Sequence, residues 1–326
     1  MCPNKRKPSA RGFLLLVAAF SLTGCGPKYT YPADTVPKSI ENICQNENKL
    51  TVTARVVGKT AGALIYIDNI LDAKGQIPKD VHEKMGQIMQ AVTRVALSTD
   101  LSLDFCVVVI RDRAHQNELI ITRSMDDTRR AQSDAIGIEE SINRTLFGQG
   151  KYQISPEGES AFVLKEVKLE NFLAEQIAQR IRFNFVKDAK DDAESQQQAF
   201  VLVDGLFDSS PEARRFRFSV LSLKPAEPRE TMLTVFHTVN DVLSGYHFTD
   251  FNDIEILDYL NRQKLSLDKK TLMDYQAKKI SDQEILDKYL SESQSIQEAF
   301  KLFGFNLSDS TAADAVEAPA IAAATP

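Results

Sequence analysis

The chain has no tryptophan, and its 326 residues hold only four histidines and four cysteines. Without indole rings, and with 8% aromatic residues in all, the composition does not favour a stacked small-molecule site. The histidines, His82, His115, His237 and His247, are scattered. His82-Glu83 lacks a second histidine at the spacing a helical zinc site requires, so no metal ligands are assigned. Basic residues are in deficit, 39 Lys and Arg against 45 Asp and Glu. A general nucleic-acid binder needs basic surface to displace counterions, and this balance argues against one.

Complete catalytic motifs are also missing. Gly58-Lys59-Thr60 ends like a phosphate-binding loop, but Thr53 stands where the leading glycine belongs. A hairpin turn explains the triplet better. Gly148-Gln149-Gly150 is half of a dinucleotide fingerprint with no third glycine, and reads as a joint. Ser266 and Lys269 have the spacing of an acyl-transfer pair without its companion motifs; Ser266 reads as a helix N-cap. His247, Asp250, Asp253 and Glu255 are dense but fit no calcium loop, and the two aspartates read as helix-start acids. No catalytic residue, metal or cofactor is assigned.

What is present begins at the N-terminus. Lys5, Arg6, Lys7 and Arg11 precede an apolar core, Phe13 to Phe20, and a small-residue exit, Ser21 to Cys25. The core is shorter than the roughly 20 apolar residues that cross a bilayer. Its length and basic flank match a secretory signal. The exit, Leu22-Thr23-Gly24-Cys25, resembles the lipobox of bacterial lipoproteins. That resemblance covers residues 1–25 and implies diacylation of the Cys25 thiol and cleavage before it. Cysteine suits the role because its thiol is a strong nucleophile near neutral pH. Each buried acyl CH₂ contributes about 0.8 kcal/mol to anchoring. Gly26, where an aspartate commonly signals inner-membrane retention, points to an outer membrane facing the periplasm in a Gram-negative source. In any other source the outer face of the cytoplasmic membrane is expected.

Cleavage removes four basic residues and no acid, taking the formal charge from −6 to −10. Cys2 leaves with the signal and Cys25 carries lipid, so Cys44 and Cys106 remain. A bridge between them would stabilise by about 4 kcal/mol through loop closure. The alternative is two buried thiols acting as small apolar side chains, which the apolar run around Cys106 favours.

With 43% hydrophobic residues, the mature part can build a real core. Residues 25–37, with Pro27, Pro32 and Pro37, read as a lipidated tether. Residues 38–147 read as a first α+β subdomain. Leu50 to Val56 alternates and Ala61 to Ile67 returns as a hairpin. Val81, Met85, Ile88, Met89, Val92 and Val95 stripe a helix. Leu101 to Ile110 is an interior strand and Asn117 to Arg123 its partner. Ser124 caps a helix that Gly137 interrupts before Ile142 and Leu146. Residues 147–160 form a glycine-bearing seam.

Residues 161–248 read as a second α+β subdomain. It has a short strand at Phe162 to Val167, a helix along Leu169, Phe172, Leu173, Ile177 and Ile181, and strands at Ala199 to Val203, Arg215 to Leu223 and Thr231 to His237. A short helix follows along Val239 to Tyr246. Residues 249–304 read as a helical segment, with a capping box at Ser281 to Glu284 and a last stripe along Ile296, Phe300 and Phe303. Leu272 to Leu290 is similar to short C-terminal helical-hairpin modules of bacterial envelope proteins, with Lys279 where those carry glycine. Residues 305–326, alanine-rich, read as a disordered tail. The two halves share a rough order of strands and helices, as an internal duplication would give, but no residue-level repeat is visible.

The expected fold is therefore α+β, antiparallel-rich sheets covered by helices in two subdomains, with a C-terminal helical segment. Arg214, Arg215 and Arg217 stand out in an acidic chain. They form either the solvent face of a strand whose Phe216 and Phe218 face the core, or a patch for an anionic partner. The function expected is a non-catalytic interaction or assembly role on a membrane, with an envelope protein or cell-wall partner. The arrangement is similar at fold level to periplasmic lipoproteins that assist envelope machines. The alternatives are an envelope hydrolase whose site assembles only in the fold, first sought at His237 or His247, and a small-molecule binding lipoprotein.

Overall fold

Pro37 sits in the first turn of the first helix, α1 (Val36–Asn48), where a missing N–H costs nothing. The computed structural model describes residues 30–152, 162–188, 201–222, 227–293 and 302–303. Cys25, the outer part of the tether, most of the seam, Ile296 and Phe300 of the last stripe, and the alanine-rich tail lie outside them.

A tight turn at Gly58-Lys59 joins β1 (Thr53–Val57) to β2 (Thr60–Tyr66), with Val57 opposite Thr60. Gly58 has φ +54°, a left-handed conformation that favours glycine, and a Cβ there would displace the Glu166 carboxylate. The Lys59 N–H donates to that carboxylate (3.1 Å). The triplet is thus a hairpin turn, as its sequence suggests. Helix α2 (Lys79–Leu97) follows and buries Val81, Met85, Ile88, Met89, Val92 and Val95. It carries the chain across to β3 (Phe105–Arg111), parallel to β2, and β4 (Asn117–Ser124) returns antiparallel. Ser124 then caps α3 (Met125–Gln132), accepting the Asp126 N–H. After α4 (Ile138–Asn143), β5 (Leu146–Lys151) adds the last strand, giving the order β1-β2-β3-β4-β5. Gly148 and Gly150 therefore lie in an edge strand, not in a joint, and Leu146 begins that strand rather than ending a helix.

The second sheet repeats the plan. Helix α5 (Leu169–Asp188) precedes β6 (Val201–Asp208) and β7 (Arg215–Ser222), which pair antiparallel. Helix α6 (Pro228–Gly245) leads to β8 (Asp253–Asp258), parallel to β7, and β9 (Gln263–Asp268) returns antiparallel. Asp268 caps α7 (Lys269–Gln276) by accepting the Thr271 N–H; α8 (Asp282–Tyr289) and β10 (Leu290–Glu292) follow. The order is β10-β9-β8-β7-β6. Element for element, α-β-β-α-β-β-α-α-β occurs twice, with the same parallel pairing between the second and third strands.

Three further expectations change. Thr231 to His237 is helical, because Met232, Val235, Phe236, Val239, Val242 and Leu243 form one buried stripe that starts at Pro228. The C-terminal part keeps two helices but also holds β8, β9 and β10. Its strands alternate, with Ile254, Ile256, Leu265 and Leu267 buried. Residues 162–167 form no strand, yet Leu164 lies against Gly62 of β2.

The chain divides into two compact units. One holds the segment to Ala135 with Phe147–Glu166, the other Ile136–Leu146 with Val167 onward. The first core collects α1, α2 and one face of β1–β4 around Ile40, Ile88, Val92, Val108 and Ile110. The second centres on Phe216 and Phe218, both fully buried, with Phe207, Phe248 and Phe251 packed around Phe216 at centroid distances of 4.7–5.8 Å. Gly205 lets α5 approach β6: a Cβ there would overlap the Ala174 carbonyl oxygen. Gln176 and Gln179 of α5 donate to the carbonyls of Arg144 and Thr145 (2.8 and 2.9 Å), which docks the Ile136–Leu146 segment in this unit. Among the described residues no helix is long and apolar enough to cross a membrane.

Candidate functional site

The stripe that buries α6 leaves His237 at its edge, next to buried Phe236. Phe236 packs edge-on against Tyr275 of α7, with centroids 4.8 Å apart. Asp282 is the first residue of α8, held there by a full capping box between Ser281 and Glu284. These three elements bring three polar side chains together. Tyr275 Oη donates to Asp282 Oδ1 (2.7 Å), and His237 Nε2 lies 3.0 Å from the same oxygen. The His237 bond, then that of Tyr275, holds the Asp282 carboxyl below the usual carboxylate range, and a helix N-terminus favours its charge. Burial first, then the bond and charge of Asp282, push the Tyr275 hydroxyl up to about 12. Tyr275 is therefore a donor throughout the neutral range.

An open depression of about 590 Å³ adjoins the cluster, lined by Asn240, Tyr275, Lys278, Lys279, Ser281 and Asp282. A histidine held by a carboxylate can act as a general base toward water. The adjacent hydroxyl, Ser281, is engaged by the Glu284 carboxylate (3.0 Å) and the Glu284 N–H (3.3 Å), so it serves the cap. Sequence reasoning named His237 but missed Asp282 and Tyr275, which lie 45 and 38 positions along and meet it only through the fold.

Arg215 and Arg217 lie in β7 of the second sheet, and Arg214 immediately precedes it. Phe216 and Phe218 face the core, and Arg215 and Arg217 point to the opposite face. Arg215 pairs with Asp253, directly across the parallel register. Arg217 donates to Glu255 (2.7 Å), which also pairs with Lys264. Arg214 pairs with Asp250 (2.6 Å). Glu255 is 5% exposed; burial pushes its carboxyl up, but Lys264 and Arg217 outweigh that and hold it below the usual range. The arginines are therefore members of a mixed-sign network, which suits the reading as a strand's outer face.

This placement also corrects the cluster at His247. That residue follows α6 with φ +52°, and its acidic neighbours are engaged by the arginines. Asp253 opens a strand rather than a helix. Among the described residues, no group of three or more metal-ligating side chains converges. Ser266 lies within β9 and the cap is Asp268.

Cys44 and Cys106 are buried free thiols, not a disulfide. Each packs in the first core as a small apolar side chain, Cys44 on α1 and Cys106 in β3 with its sulfur 3.1 Å from Met125 Sδ. Burial pushes them up to about 11 and about 12, respectively.

A matched pair of turns becomes visible only in the fold. The turn after β3 is Asp112-Arg113-Ala114-His115-Gln116-Asn117, and the turn after β8 is Asp258-Tyr259-Leu260-Asn261-Arg262-Gln263. In both, a buried aspartate binds the side chain three positions on, and the fifth residue is left-handed, Gln116 at φ +56° and Arg262 at φ +52°. The signal in the sequence is the shared Asp-x-x-His/Asn spacing. A second open depression, about 780 Å³, is lined by Phe251, Asn252, Lys270 and Met273.

No family model matches the chain. No curated protein matches it either. Two solved structures are similar to it at low score. A sex pheromone staph-cAM373 precursor is 9% identical over 74% of this chain and 80% of its own, with a TM-score of 0.20. A sex pheromone precursor from Lactobacillus salivarius subsp. salivarius UCC118 is 12% identical over 64% of this chain and 58% of its own, with a TM-score of 0.17. Scores that low carry no statement about fold or function.

Proposed function

We propose that this chain is a lipoprotein of a bacterial envelope, acylated at Cys25, whose duplicated α+β body engages another envelope protein or the cell wall without catalysis. The observation that carries the anchor is the ordered set of basic start, short apolar core and Leu22-Thr23-Gly24-Cys25. The non-catalytic reading is supported by the use made of the polar clusters. The arginines are engaged by acids on their own sheet, and His237, Tyr275 and Asp282 tie three helices together. Metabolic labelling with a fatty acid tests the anchor: wild type takes label and partitions into detergent, while Cys25→Ser does neither. Equal partitioning of the two proteins would refute it. Cross-linking in intact cells then tests the partner: a defined envelope adduct is expected, and its absence at every exposed face counts against the interaction role.

A second reading rests on one observation, the half-buried His237 ring held 3.0 Å from Asp282 beside an open depression. This is the arrangement of a general base for a hydrolase. Hydrolysis of cell-wall or ester substrates that vanishes in His237→Ala, with the fold intact, would replace the first reading.

A further inference from the structure

The sequence suggests a tether to Pro37, but the folded body starts earlier. The Thr30 and Tyr31 N–H groups both donate to the Ser98 carbonyl (2.9 and 3.1 Å), and Tyr31 bridges Thr99 in parallel. A 3₁₀ turn, Ala33–Thr35, leads directly into α1, whose Val36 is fully buried. Chain that a tether would leave free is thus fastened to the C-terminal end of α2.

The distance left is short. From Cys25 to Thr30 is five residues, which span at most about 18 Å fully extended. Helix α2 runs 19 residues from Lys79 to Leu97, or about 28 Å. One end of that helix must therefore stay near the anchor, while the other can stand well clear of it.

We infer that the corner formed by Thr30, Tyr31 and Ser98–Asp100 is the membrane-proximal face of the first unit, held against the phospholipid headgroups by the lipid on Cys25. The opposite end of α2, at Lys79, is held away from them. This rests on acylation of Cys25 as proposed above. The body is thus presented in a preferred orientation, unlike a domain on a long leash. Asp100 is exposed in that corner, and Lys79 is exposed at the far end.

The full acylated chain in phospholipid vesicles provides the test. Asp100→Cys and Lys79→Cys are each labelled with a fluorophore; the native Cys44 and Cys106 are buried and stay unlabelled in the folded protein. Vesicles carry a nitroxide on the lipid headgroup. Strong quenching is expected at position 100 and several-fold less at 79. Inserting a Gly/Ser segment of about 20 residues after Gly26, which adds roughly 25 Å of mean reach, should abolish the difference. Equal quenching at the two positions, or none at 100, in protein that co-floats with vesicles would overturn the orientation. Failure to co-float, or fatty-acid label that persists in Cys25→Ser, would instead overturn the acylation on which it rests.

Discussion

His115 Nδ1 lies 2.9 Å from the buried Oδ2 of Asp112. The same carboxylate accepts the N–H groups of Ala114 (2.8 Å) and His115 (3.3 Å). In the second unit Asn261 takes the histidine's place, donating from Nδ2 to Asp258 (2.7 Å) and from its backbone N–H (3.1 Å). The two turns occupy the same position in the same topology, but their carboxyls are tuned in opposite directions. At Asp112 burial raises the carboxyl, and the His115 ring with two N–H donors outweighs it, so it stays below the usual range. At Asp258 burial wins over the bonds from Asn261 and the carboxyl is raised.

Neutralising these two residues should therefore cost different amounts. Asp112→Asn is expected to destabilise by about 1–3 kcal/mol, since it puts an amide N–H₂ among donors. Asp258→Asn should cost less than about 1 kcal/mol, because burial there works against the charged form. Urea unfolding at neutral pH measures both, and a larger loss at 258 would contradict the assignment. The sign with pH follows. Asp112 contributes stability above its unfolded pKa, lost as pH falls through its lower folded value. Asp258 does the reverse: its penalty accrues as pH rises from the unfolded toward the folded pKa.

Glu255 joins Arg217 and Lys264 on the second sheet. Glu255→Ala leaves two cations beside a site vacated by the only nearly buried member of the group. A loss of about 1–2 kcal/mol is expected, below the value for a fully buried pair because both cations reach solvent. Arg217→Ala should cost less than about 1 kcal/mol. Thermal melts of the two variants give the order; equal losses would show that the network does not depend on its acid.

Glycines offer a contrast in sign. Gly205→Ala drives a methyl into the Ala174 carbonyl and should cost about 2–3 kcal/mol, as α5 must lift from β6. At Gly86, in mid-α2, an added Cβ would meet nothing within 4 Å, so Gly86→Ala should stabilise by about 0.5–1 kcal/mol. Denaturant midpoints check both directions.

The thiols provide a chemical test of the core. In a Cys25→Ser body lacking the signal, neither Cys44 nor Cys106 should react with a disulfide reagent near pH 8, given their burial and pKa values of about 11 and about 12. Both should react at once on unfolding. Failure to recover two thiols in denaturant without reductant would mean that a bridge exists.

Much of the fold is legible in the sequence because local signals agree with their surroundings. The α2 stripe, the Gly58 hairpin, the Ser124 cap and the Ser281 capping box all stand where periodicity and capping chemistry put them. The misreadings have a common cause. Met232 to Phe236 looks like a strand because the α6 stripe is wide, and only burial on one continuous face separates the cases. β8 and β9 look helical because charged residues fill their outer face, although Ile254/Ile256 and Leu265/Leu267 alternate. On β8 those charges are Asp253 and Glu255, cross-strand partners of Arg215 and Arg217, while on β9 Lys264 pairs with Glu255 and Asp268 caps α7.

The sequence by itself determined the polarity of each element: a short apolar run from Phe13 to Phe20 after a basic start, stripes with one buried face, and residues such as Pro37, Ser124 and Gly58 that act within a few positions of themselves. Tertiary structure decided what depends on distant partners. It set the doubled topology, joined His237 to Tyr275 and Asp282, paired the arginines with acids some 36 to 38 residues away, and kept the two thiols apart from a bridge. Propensity and capping are short-range and written in adjacent residues. Charge pairing and burial act through space, so they are fixed only when the register of strands and the crossing of helices bring the groups together.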